Sequence, residues 1–103
     1  MIAQVAQRQP QIEALCRRFS VRRLDIFGSA TTDTFRPEES DLDFLVEFDP
    51  SLPIAGSADR YFGLLEALEA LFGRHVDLVV AEAIKNPYFR ESVERTKLPV
   101  YAA

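Results

Sequence analysis

Stretches of helical period alternate along this chain with short β-branched or two-residue-period runs, and the alternation predicts an α/β domain. Gly, Pro and Asn residues mark the boundaries between them. Pro10 suits a first helical turn, and Ile12, Leu15, Cys16 and Phe19 recur at three- and four-residue steps, so a helix is expected over Gln9–Phe19. Val21–Phe27 reads as the first strand, with Leu24, Ile26 and Phe27 apolar and Gly28 ending the run where close backbone approach becomes possible. Ser29 is placed to cap a short helix over Ala30–Asp33, and Thr34–Ser40, around Pro37, is a loop. Leu42, Phe44, Val46 and Phe48 alternate with Asp43, Leu45 and Glu47 in a second strand. Beyond a second loop with Pro50, Pro53 and Gly56, Ser57 is a credible N-cap. The stripe Tyr61, Leu64, Leu65, Leu68, Leu71 and Phe72 then defines the clearest helix, stopped by Gly73. Val76–Val80 makes a third strand, with Asp77 facing away from Val76 and Leu78. Asn86-Pro87 opens a last helix running to about Arg95, and Lys97–Tyr101 forms an edge strand where Pro99 is tolerable.

At 103 residues, a single domain over 1–103 is expected, with one core and no room for a second domain to grip a substrate. The balance of 48% hydrophobic and 27% charged residues is that of a soluble globular protein, and no apolar run approaches the ~18 residues of a membrane span. No membrane partner is expected. The first residues lack a basic segment followed by an apolar run, so no signal peptide is evident and a cytoplasmic location is expected. The lone Cys16 excludes an internal disulfide and falls on an apolar stripe, where it reads as a buried structural thiol. A net charge of −4 argues against holding nucleic acid directly. Arg17, Arg18, Arg22 and Arg23 read as a solvated helix end and strand start.

The chemistry is expected where Gly28-Ser29 closes one strand and Asp41-Leu42-Asp43 opens the next. Residues two apart in a strand share a face, so Asp41 and Asp43 point together and need a counter-charge. Aspartate is disfavoured in strands, yet Asp77 sits in one as well. If the second and third strands are neighbours, three carboxylates converge. Three acidic ligands beside a turn able to approach phosphate suit a two-metal phosphoryl or nucleotidyl transfer, with Mg2+ as the hard cation that favours carboxylate oxygen. Gly28 lets the backbone come close, and the Ser29 hydroxyl and following amides suit the outer phosphates. His75 is set outside the site as a surface or capping residue, because Mg2+ prefers oxygen. Tyr61, Tyr88 and Tyr101 fit core or interface packing.

Phe27-Gly28-Ser29, Ser40-Asp41-Leu42-Asp43-Phe44-Leu45-Val46-Glu47-Phe48 and Gly73-Arg74-His75-Val76-Asp77-Leu78-Val79 together resemble the minimal nucleotidyltransferases of the DNA polymerase β superfamily. The likeness is greatest to the antitoxin type encoded beside HEPN-domain toxins, and extends to Asn86-Pro87-Tyr88-Phe89-Arg90. The resemblance implies an α/β fold of α+β type, a mixed sheet of three or four strands flanked by helices. It also implies transfer of AMP from ATP with two Mg2+ ions held by Asp41, Asp43 and Asp77, the catalytic residues, and the nucleotide held by Gly28 and Ser29. The implied acceptor is a hydroxyl, a tyrosine, of a HEPN toxin, with which the chain would form a hetero-oligomer and whose ribonuclease it would silence.

Two positions depart from the family pattern. Eleven residues, Ala30 to Ser40, separate Gly-Ser from the first aspartate, one more than is usual. Ala30-Thr31-Thr32-Asp33 lacks the arginine common after Gly-Ser, although Arg36 lies in the loop. The alternative is therefore a catalytically weak or inactive module of the same fold that neutralises a toxin by binding alone. A third option, transfer to a small molecule, is disfavoured by length, since enzymes of that kind usually carry a further domain.

Overall fold

The computed structural model describes residues 3–32 and 41–103. The expected loop over Thr34–Ser40, the end of the short helix at Asp33 and the reach of Arg36 lie outside the described residues. Two helices, α1 (Ala3–Ala6) and α2 (Gln9–Arg18), lead into strand β1 (Val21–Phe27) and a 3-10 turn over Gly28–Thr31. Strand β2 (Leu42–Phe48), helix α3 (Ser57–Phe72) and strand β3 (Val76–Val80) follow. A second 3-10 turn (Ala81–Ala83), helix α4 (Pro87–Thr96) and strand β4 (Leu98–Ala102) complete the order.

The four strands form one mixed sheet in the order β3-β2-β1-β4. β1 runs antiparallel to β2 and β4, whereas β2 and β3 are parallel, which the long crossover through α3 permits. Alternation assigns the two faces. Leu24, Ile26, Leu42, Phe44 and Leu78 pack with Ile12 and Cys16 of α2 and Leu64 and Leu68 of α3. On the other face Phe27 and Leu45 pack with Ile84, just after the second 3-10 turn, and with Val93 of α4. Burying each such leucine or phenylalanine contributes roughly 1.5–3 kcal/mol, so helices on both faces hold the central strands rigidly.

The strands expected over Val21–Phe27 and Val76–Val80 form over those residues, and β4 is an edge strand containing Pro99. Asn86 caps α4 as expected, its Oδ1 accepting the Tyr88 and Phe89 N–H groups at 2.8 and 3.2 Å. Gly73 ends α3 at φ 64°. Cys16 is fully buried, and burial, with the Glu13 charge beside it, pushes its thiol up to about 12. Both serine caps are corrected. α3 starts on Ser57 itself, with Gly56 at φ 87° in the cap position. The turn after β1 starts on Gly28, with extended Phe27 in the cap position and Ser29 inside the turn. No helix among the described residues is long and apolar enough to cross a membrane.

Candidate active site

The strand register builds the site. β2 pairs with β1 through Phe27↔Asp43 and with β3 through Asp43↔Asp77, so the end of β1, Asp43 and Asp77 lie side by side across three strands on the face covered by α4. Asp41 stands just before β2, beside His75 just before β3, and the Leu42 N–H reaches the His75 carbonyl oxygen at 3.4 Å. Parallel pairing of β2 with β3 is what brings these two pre-strand residues together.

Asp41, His75 and Asp77 each offer a ligand atom, and the three atoms lie within 4.8 Å of one another. His75 Nδ1 is 3.2 Å from Asp41 Oδ2 and 3.8 Å from Asp77 Oδ1, with the three side chains half or more exposed. Asp43, paired with Asp77 across β2 and β3, borders this group. Burial above all, then sharing of a proton with the Asp77 carboxyl and the charges of Asp77 and Asp41, push the Asp43 carboxyl up to about 6, against a smaller pull from His75. His75, set outside the site on sequence grounds, thus lies within the acidic group.

Gly28 closes the other side. At φ 74° it adopts a conformation that side chains disfavour, and a Cβ there would lie 2.6 Å from Asp43 Oδ2. Glycine is required twice over, for its backbone angle and for its closeness to the carboxylate. Its carbonyl oxygen accepts from Thr31 Oγ1 at 2.9 Å, and the Ser29 carbonyl oxygen accepts from Thr32 Oγ1 at 3.2 Å, so the turn is braced from within. Beside the carboxylates opens a cleft of about 360 Å³ lined in part by Phe27, Tyr61, Leu65 and Phe89. Phe89 meets Phe27 edge-to-face at 6.0 Å.

The donor set fits a hard divalent cation. Three carboxyls crowd together, and Asp43 holds its proton to unusually high pH. A cation relieves this repulsion, and the oxygens suit Mg2+ better than the His75 nitrogen does. Asp41, Asp43 and Asp77 are the residues that would hold it.

The pattern of the nucleotidyltransferase domain matches residues 10–99. A protein adenylyltransferase, MntA, of Thermococcus cleftensis is 40% identical over 74 residues, covering 70% of this chain and 68% of the relative. The solved structure of a candidate minimal nucleotidyltransferase superposes with a TM-score of 0.71 at 34% identity, covering 91% of this chain and 90% of that one. The fold alone is shared with a structure of a tri-AMPylated Shewanella oneidensis HEPN toxin in complex with an MNT antitoxin, at a TM-score of 0.64 and 18% identity, over 96% of this chain and 73% of that one. Strand order, a glycine turn against an aspartate, and a match over most of its length agree: the chain belongs to the nucleotidyltransferase domain family.

Proposed function

We propose that this nucleotidyltransferase is the antitoxin of a toxin–antitoxin pair, moving AMP from ATP to a tyrosine hydroxyl of a HEPN-type toxin in a Mg2+-dependent reaction. The observation that carries the reading is Asp43, pressed against Gly28 and pushed toward its protonated form by burial, Asp77 and Asp41, at the border of the Asp41–His75–Asp77 group. The adenylyltransferase name of the Thermococcus relative and the HEPN complex of the Shewanella protein support the acceptor class.

In the reaction the acceptor oxygen bonds to the α-phosphorus of ATP, the bond to pyrophosphate breaks, and the hydroxyl proton leaves. Bound Mg2+, two ions in this reading, lowers the pKa of the hydroxyl and neutralises the triphosphate. The chain's own residues do the rest. Gly28 and Ser29 take the phosphates close to the backbone, where any larger residue at 28 would meet Asp43. Asp77 is about half exposed, so it faces an incoming acceptor and can take its proton. The apolar walls of the adjoining cleft exclude water from one side of the reacting groups.

One observation favours the alternative of neutralisation by binding alone. Residues 28–32 carry no cationic side chain, and Thr31 and Thr32 are spent on bracing the turn. Incubating the chain with Mg-ATP and its HEPN partner separates the readings. Transfer predicts an AMP-sized mass gain on the partner; a stable complex of unchanged mass favours the binding module.

A further inference from the structure

Thr96, the last residue of α4, uses its side-chain oxygen twice. The oxygen accepts the Gly28 backbone N–H at 3.0 Å, and the hydroxyl donates to the Ser92 carbonyl oxygen at 2.9 Å. The second bond aims the first. A hydroxyl has one proton, and once it is given to Ser92 only lone pairs are left to face Gly28. Back-bonding of threonine to the carbonyl four residues earlier is ordinary in helices. A bond spanning 68 residues of sequence to the residue that touches the acidic site is not.

Gly28 is held from two sides. Its Cα has no room for a substituent toward Asp43 Oδ2, while its N–H is bound to α4. α4 is a firm support, capped by Asn86 at its start and buried through Val93 against Phe27 and Leu45. A small outward shift of Gly28 would carry Ser29 with it and change the distance between the turn and the carboxylates, to which transfer chemistry is sensitive.

We propose that Thr96 is a positioning residue for nucleotide transfer, its hydroxyl setting the spacing between the Gly28-Ser29 turn and Asp43. The role rests on the reading of that turn as the nucleotide-phosphate site. Thr96 itself touches neither nucleotide nor acceptor.

Thr96→Val keeps the shape and removes the hydroxyl; Thr96→Ser keeps the hydroxyl. In the full chain, Thr96→Val should speed hydrogen exchange of the Gly28 amide and weaken binding of Mg2+ with a non-hydrolysable ATP analogue by about tenfold, the scale of one lost hydrogen bond. Thr96→Ser should restore both. Wild-type exchange and affinity in Thr96→Val would overturn the proposal, as would a serine variant as impaired as the valine one. Faster Gly28 exchange in Thr96→Val, together with no nucleotide binding by the wild-type chain, would instead remove the proposed function, and this role with it, while leaving the hydrogen bond established.

Discussion

Asp25 and Asp43 stand on adjacent strands and point to the same face of one sheet, Asp25 opposite Leu45 and Asp43 opposite Phe27, yet their surroundings are opposed. Asp25 is 1% exposed, and Arg23, two residues earlier on the same face, reaches its two oxygens at 3.3 and 3.2 Å. Asp43 is half-buried and faces Asp77 and Asp41, whose charges push its carboxyl up against only a small opposing pull from His75. A buried structural acid comes with its own arginine on its own strand. An acid left among other acids, against a glycine, marks a place for a cation that arrives from outside.

The largest effect expected from this contrast is on chemistry. Asp43→Asn removes an oxygen ligand and should abolish AMP transfer to the partner, read as mass gain. The same change relieves carboxyl crowding, so at neutral pH the thermal midpoint should hold or rise. Transfer at the wild-type rate would break the assignment.

Asp25 should behave in the reverse way. Asp25→Ala leaves a cavity and deprives Arg23 of its partner, so urea unfolding should show a loss of roughly 1–3 kcal/mol. The lower part of that range is expected, because the Arg23 side chain is 45% exposed and can turn to water. Folded Asp25→Ala should still transfer AMP. If it is as inactive as Asp43→Asn, the division between structural and functional acid fails.

The smallest effect is on pH dependence. In the folded, metal-free chain the Asp43 pKa is raised from 3.8 to about 6, so the folded state holds this proton more tightly than the unfolded state does. Its stabilising contribution is complete below the unfolded value and is lost as pH rises through about 6. In a chelator, the thermal midpoint of wild type minus that of Asp43→Asn should therefore fall across this window. Mg2+ competes with the same proton, so its apparent affinity should weaken as pH drops below about 6. A flat difference curve would detach Asp43 from the acidic group.

Much of this architecture was legible in residue order, for identifiable reasons. An apolar run stopped by Gly28 defines β1, a short β-branched run after Gly73 defines β3, and Asn86-Pro87 specifies a cap because the Asn86 side chain and the Pro87 ring both suit a helix start. Ser29 and Ser57 misled because a cap is a backbone conformation, and it fell on extended Phe27 and left-handed Gly56. The burial of Asp25 was not read, although an arginine two residues before it on one strand face was the available signal. His75 could not be placed from spacing alone. Its nearness to Asp41 follows from the parallel register Leu42↔Val76, which is a property of topology.

The most direct measurement is a calorimetric titration of the metal-free chain with Mg2+ in the presence of a non-hydrolysable ATP analogue, wild type beside Asp43→Asn. Saturable binding in wild type, weakened at least about tenfold in the variant, is the predicted result, on the scale of one lost charged ligand. Equal affinity in the two proteins would contradict a cation held by Asp41, Asp43 and Asp77.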